Sequence, residues 1–222
     1  MLLLCSTAKR IKSMKRIKFG LIAFALFFAA YHSVYFEPLD KMRSQAQQTA
    51  FDPSGYAASF WNNQLMKNLS GAVDAVQLLD LFEADMKQAV SRYAKTLGIA
   101  STHAYLVKGA GRIIATDDEG LLLSVRQPEN KPDILIQTDY IFGNAIRDAS
   151  GLIHVSEFPS SMDFNSISVE INNIVKTHVV AAIRKDAAIG KRVTFIGATQ
   201  VSEEEQNITP LLVVPIQVEI DR

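Results

Sequence analysis

Apolar residues change their spacing several times along this chain, and each change marks a different kind of element. From Phe19 to Phe36 the sequence FGLIAFALFFAAYHSVYF is apolar without interruption by a formal charge. A polar stretch punctuated by Pro38, Pro53 and Gly55 follows over 37–55 and reads as a tether ending in a turn. Tyr56, Phe60, Leu65 and Leu69 then recur near helical spacing with Trp61 beside them, which predicts a short helix over 56–69. The clearest helical pattern covers 74–97, where Ala75, Leu79, Phe82, Met86, Ala89, Tyr93 and Leu97 form one apolar face. Asp74 with Gln77 resembles a capping box at its start, and Gly98 is placed to close it.

Beyond residue 100 the period shortens. HAYLVK (103–108), RIIAT (112–116) and LLLSVR (121–126) are strand-like runs, separated by Gly109-Ala110-Gly111 and Asp117-Asp118-Glu119-Gly120, both read as turns. A proline-bounded loop over 127–132 precedes a further strand pattern through Ile134 and Ile136, and 152–158 is another strand candidate. Helical spacing returns over 164–186 through Ile167, Ile171, Ile174, His178 and Ala182, with Asp163 as expected N-cap and His178 as a core residue. KRVTFIGATQ (191–200) alternates with period two, and LLVVPIQVEI (211–220) is a last strand whose Pro215 calls for an edge or a bulge. Several short strands with two long helices predict an α+β class: a small OB-like antiparallel β-barrel with two longer packed helices, preceded by one N-terminal transmembrane anchor.

Charge explains the first apolar run. The 23 basic and 23 acidic residues balance overall, but Lys9, Arg10, Lys12, Lys15, Arg16 and Lys18 cluster directly before Phe19. A basic segment followed by an apolar one is the order of a signal sequence. At about 1.5 Å per residue, 19–36 extends roughly 27 Å, close to the thickness of a hydrocarbon core. Tyr31-His32-Ser33 supplies no small-x-small cleavage pattern, so the segment reads as an uncleaved anchor, with 1–18 cytoplasmic and 56–222 a periplasmic domain. Met14 begins a more ordinary signal, MKRIKFGLIAF, so the start is open between Met1 and Met14. With the basic cluster set aside the remaining domain is mildly acidic, and nucleic acid is not an expected partner.

The single cysteine, Cys5, excludes an internal disulfide and a cysteine-based zinc site, and it precedes the apolar run where a lipobox cysteine would follow it. No metal or cofactor is expected: His103, His154 and His178 lack ligand spacing, and Gly109-Ala110-Gly111 lacks the lysine and third glycine of a phosphate loop. No nucleophile motif occurs, so the chain is expected not to be an enzyme. The candidate contact residues are Gly143, Asn144, Arg147 and Asp148, with Trp61. An arginine beside an aspartate in a glycine-opened loop suits a carboxylate, a hydroxyl-rich ligand or a partner backbone; the competing reading is an internal ion pair.

FDPSGYAASFW (51–61), VKGAGRI (107–113), FGNAIRDASGLIHVSEF (142–158) and GKRVTFIGA (190–198) occur in an order that resembles a bacterial family of predicted periplasmic lipoproteins, a domain of unknown function. The resemblance implies an envelope location, a barrel-containing fold and, through gene neighbourhood, sugar ABC transporter components as partners. The chain departs from the family in three places: Tyr140-Ile141-Phe142 stands where a glycine-proline pair and an arginine are usual, Ser160-Ser161 replaces an asparagine-glutamine pair, and no lipobox is found. The resulting expectation is a non-enzymatic accessory of a sugar or polyol transporter, with a sugar-like ligand bound at the barrel mouth as the alternative.

Overall fold

The longest strand organises the domain because it serves two neighbours. In the computed structural model, which describes Phe28, residues 51–95, 100–205 and 207–221, strand β2 (Thr102–Thr116) pairs antiparallel with β5 (Arg192–Ser202) over Thr102–Arg112 and with β3 (Gly120–Ser124) over Arg112–Thr116. Strand β3 pairs with β4 (Ile134–Gln137), β4 with β6 (Leu211–Ile220), and β6 returns to β5. The result is a closed five-stranded ring, and the two-residue β1 (Val73–Asp74) adds parallel to β2 at Val107–Lys108. The all-antiparallel expectation is corrected at one seam: Ile134–Ile136 run parallel to Leu211–Val213. An odd number of strands cannot alternate direction all the way round a ring, so one parallel contact is unavoidable.

Gly109-Ala110-Gly111, expected as a turn, lies inside β2 and joins the two short runs into one strand. Its glycines answer to crowding. A Cβ on Gly111 would fall 2.6 Å from the Ser124 carbonyl oxygen, and one on Gly109 would fall 2.9 Å from Phe195 Cζ. The hairpin at 117–120 is as expected, with Asp117 Oδ1 accepting from the backbone amides of Glu119 and Gly120. Pro215 sits at a register shift opposite Gly197, the expected bulge.

Helix α1 (Pro53–Asn63) starts inside the stretch read as tether, because Asp52 accepts from the Ser54 and Gly55 amides and Pro53 suits the first turn. It gives way to two 3₁₀ turns before residue 69. The helix expected over 74–97 is broken at Asp85: α2 (Ala75–Ala84) ends there, and the Asp85 side chain caps α3 (Met86–Tyr93) through the Gln88 amide. A short acidic side chain that can bond to nearby amides offers the backbone this alternative. Asp74 caps α2, yet Gln77 turns to Tyr93 Oη at 3.1 Å, so the reciprocal half of the box is not formed. Leu97 and Gly98 lie outside the described residues, as do the basic segment, the apolar run apart from Phe28, and tether residues 37–50. Among the described residues no helix is long and apolar enough to cross a membrane.

Between β4 and β5 run α4 (Ala145–Ser150) and α5 (Ser161–Ile174), the latter continuing through a π-helical segment, Val175–Val180, into α6 (Ala181–Asp186). Ser160, not Asp163, caps α5, accepting from the Asp163 amide. The π segment rotates the following side chains relative to an unbroken helix, so Val180 and Ile183 are buried and His178, expected in the core, is exposed. Residues 152–158 form no strand. The Glu157 and Phe158 amides close a local 3₁₀ turn, and Phe158 enters an aromatic group with Phe51, Tyr56 and Phe164.

Two cores result. Tyr105, Val107, Ile113, Leu123, Ile136 and Phe195 fill the barrel together with Leu78, Leu79 and Phe82 of α2. The second core lies between the barrel wall, at Ala104, Ala198, Val214 and Ile216, and the helices α1, α4 and α5.

Candidate functional site

The candidate residues of the 143–148 segment come together, but inward. Gly143 has φ +81, a left-handed conformation that glycine adopts without strain, and its carbonyl accepts from Asn172 Nδ2 at 2.9 Å. The Asn144 carbonyl accepts the Asp148 amide at 2.9 Å and so opens α4, where a loop between strands was expected. Arg147 is 4% exposed. Its Nε donates to Asp148 Oδ1 at 2.8 Å, its Nη1 donates to the Phe164 carbonyl and Asn165 Oδ1, and its guanidinium stacks 3.7 Å from the Phe164 ring centre. Burial raises the Asp148 pKa above the ordinary carboxylate range, and the Arg147 charge and hydrogen bond pull only part of the way back. Trp61 belongs to the outer core with α4 and α5. These residues hold α4 and α5 together: the internal ion pair is the reading the geometry supports, and a ligand contact at Arg147 is not. A cavity of about 230 Å³ nearby is lined by Ala149 and Ser150 but by neither Arg147 nor Asp148.

A different place has the shape of a site. At the end of the barrel where β5 leaves and β6 enters, the connecting loop faces α2 and the start of α3 across a cavity of about 360 Å³. Leu79, Phe82, Met86 and Ile208 form its apolar surface; Glu83, Glu203, Glu205, Asn207 and Thr209 supply its polar groups. The α2 residues face this way because their apolar stripe is committed to the barrel interior, which brings Glu83 to the rim. Arg126, just past β3, braces α2 by donating from Nη1 to Glu83 at 2.7 Å and holding Nη2 3.2 Å from Asp80.

Behind the rim, the start of β2 contributes a polar column on the inner face. His103 Nε2 lies 2.6 Å from Glu203 Oε1 and is buried. Tyr105, two residues on, is fully buried with its ring edge against Phe82 at 5.2 Å. Burial, with the Glu203 charge adding to it, pushes the Tyr105 phenol up to about 12. Thr199 pairs opposite Tyr105, and both hydroxyls are buried without a protein partner. His103, Tyr105 and Thr199 stand outside the cavity lining, which itself sets Leu79, Phe82, Met86 and Ile208 beside the polar groups of Glu83, Glu203, Glu205, Asn207 and Thr209, the usual make-up of a small-ligand site. Among the described residues no cluster of histidine, cysteine or acidic side chains is arranged to hold a metal.

Sequence reasoning passed over these residues. Glu203, Glu205, Asn207 and Thr209 sit in a connection between two strands whose signals are an acidic run and the glycosylation-type triplet Asn207-Ile208-Thr209, neither of which points to a ligand site.

A family described as predicted periplasmic lipoprotein (DUF2291) matches residues 24–219, a range that leaves out Cys5. The fold is similar to the crystal structure of an OB-fold protein from Thermotoga maritima, at 31% identity and a TM-score of 0.71 over 78% of this chain and 100% of the other. No curated protein matches.

Proposed function

We propose, from the premise that this chain belongs to the DUF2291 family of predicted periplasmic lipoproteins, that it is a membrane-held, non-enzymatic binding module of the periplasm. The apolar run 19–36 serves as its single-pass anchor, and the end of the OB barrel takes a small polar ligand. The observation that carries the binding reading is the 360 Å³ cavity between α2–α3 and the β5–β6 loop, with Phe82 and Met86 below and Glu203, Glu205, Asn207 and Thr209 around it. Thermal shift of the domain against sugars, polyols, amino acids and amines tests it. Saturable stabilisation by at least one class is expected, and it should vanish in Thr209→Trp, which fills the cavity from an exposed loop position. A flat panel overturns the reading.

A second reading concerns a partner. Tyr140 and Phe142 are 71% and 76% exposed on either side of the buried Ile141, in a loop tied to α6 by Arg184 Nη2 and Asp139 Oδ2 at 2.7 Å. Two exposed aromatic side chains on a pinned loop suit a protein contact. The partner proposed for them is a component of a sugar or polyol ABC transporter. Crosslinking in membranes followed by purification in detergent is expected to recover a transporter component, and to lose it in the double variant Tyr140→Ser, Phe142→Ser. Recovery unaffected by that variant removes the aromatic pair, and recovery of no component removes the accessory role.

A further inference from the structure

We infer that the ligand of the barrel-end cavity is a small organic cation: an amine on a short carbon skeleton. The inference rests on the binding reading above and specifies its chemistry. Among the described residues, the ionisable side chains lining the cavity are Glu83, Glu203 and Glu205, all acidic. Their positive partners stand behind the wall. Arg126 is shared between Glu83 and Asp80, and His103 faces Glu203 and adds a charge only when protonated. Four carboxylates against one guanidinium and one histidine leave a negative field in the opening. Among the described residues Glu205 is the least compensated, its carboxylate accepting the Ser202 amide at 3.5 Å.

Ligand classes separate on this field. Phosphates and sugar acids would bring like charge against three carboxylates, which excludes the nucleic-acid backbones that other barrels of this shape bind. A neutral polyol can donate to carboxylates but gains no net Coulomb attraction. An ammonium group donates through charge-assisted bonds, which are shorter and stronger. The floor suits the rest of such a molecule. Phe82 presents an aromatic ring of the kind that attracts cations, and Leu79, Met86 and Ile208 cover a carbon chain.

Matched pairs test the charge with the skeleton held nearly constant: putrescine against 1,4-butanediol, and glucosamine against glucose, each titrated calorimetrically into the full-length protein in detergent. The amine of at least one pair is expected to bind saturably and its neutral counterpart not to. Affinity should fall as sodium chloride is raised through about 0.1 M, where screening reaches about 10 Å. Glu205→Gln should weaken binding about tenfold, the size of one lost charge-assisted contact, whereas Asp118→Asn in the distant 117–120 hairpin should leave it unchanged. Thermal unfolding without ligand establishes that both variants are folded. If glucose or butanediol binds as tightly as its amine, or if Glu205→Gln has no effect, the cation assignment is wrong while the cavity reading stands. If calcium chloride alone reproduces the heat, the ligand is an inorganic ion and the assignment is again wrong. If no member of these pairs binds, the cation assignment is wrong, and the cavity reading is decided separately by the wider thermal-shift panel.

Discussion

Arg147→Ala is expected to destabilise the domain by about 3–5 kcal/mol, the range for removing one partner of a buried ion pair. The side chain is 4% exposed and spends its bonds on Asp148, the Phe164 carbonyl and Asn165 while stacking on Phe164. Truncation leaves the Asp148 carboxylate with the Gln200 amide at 3.3 Å but no charged partner, in a site where burial already raises its pKa and Arg147 is the group that lowers it. The sign of the pH dependence follows. A carboxyl whose folded pKa lies above its unfolded value of about 3.9 contributes stability that is fully present below that value and lost as pH rises through the folded pKa. The alanine variant, with the pKa raised further, should therefore recover part of its deficit in acid. The lost bonds to Phe164 and Asn165 keep the recovery incomplete. Urea unfolding of both proteins at neutral and acidic pH measures this. A variant within about 0.5 kcal/mol of the parent, the range of ordinary surface changes, would show that Arg147 does not hold α4 to α5.

What the sequence made legible follows from whether a signal is local. The 117–120 hairpin needed only Asp117 to bond its own neighbours, and the bulge at Pro215 needed only a missing amide in a strand. The apolar faces of α2 and α5 announced themselves by period, and the number of short strands pointed to a closed barrel, which the OB-fold neighbour bears out. What failed depended on distant partners. Residues 152–158 carry strand-like composition, but the attraction of Phe158 to Phe51, Tyr56 and Phe164 and a bonded 3₁₀ turn decide their path. His178 was assigned to the core by counting through a helix whose π segment resets the count.

The candidate site shows the same division more sharply. The glycine-opened segment at 143–148 was conspicuous, and an arginine beside an aspartate looks alike in sequence whether it faces a ligand or Phe164. That Arg147 is buried against Phe164 is a property of the packed chain, with no local signal in the sequence. The barrel-end cavity draws on α2, α3 and the β5–β6 loop, more than a hundred residues apart, and its members are common side chains with no fixed spacing. Convergence of that sort leaves no motif to read.

Gly111→Ala is the second large effect expected, and Gly109→Ala is its internal control. At Gly109 the new methyl group would meet Phe195 Cζ at 2.9 Å and Ala75 Cβ at 3.2 Å. The first of these is the far end of a side chain that can pivot, so a cost of about 1 kcal/mol is expected, the lower end of overpacking effects. At Gly111 the methyl group would lie 2.6 Å from the Ser124 carbonyl oxygen and 3.2 Å from its carbon. Those atoms are backbone, and they belong to β3 beside the residue pair Arg112–Ser124, where β2 takes β3 as a neighbour while still bonded to β5. In an open sheet β3 could swing outward. Here it is also held by β4, β4 by β6, and β6 by β5, so the strain passes round the ring and cannot be released at an edge. A loss of about 3 kcal/mol is expected, the upper end for overpacking, with faster hydrogen exchange of the β2–β3 amides than of those between β5 and β6. Equal losses for the two alanine variants would mean that β3 yields freely at Gly111, and that the β2–β3 seam does not constrain the barrel.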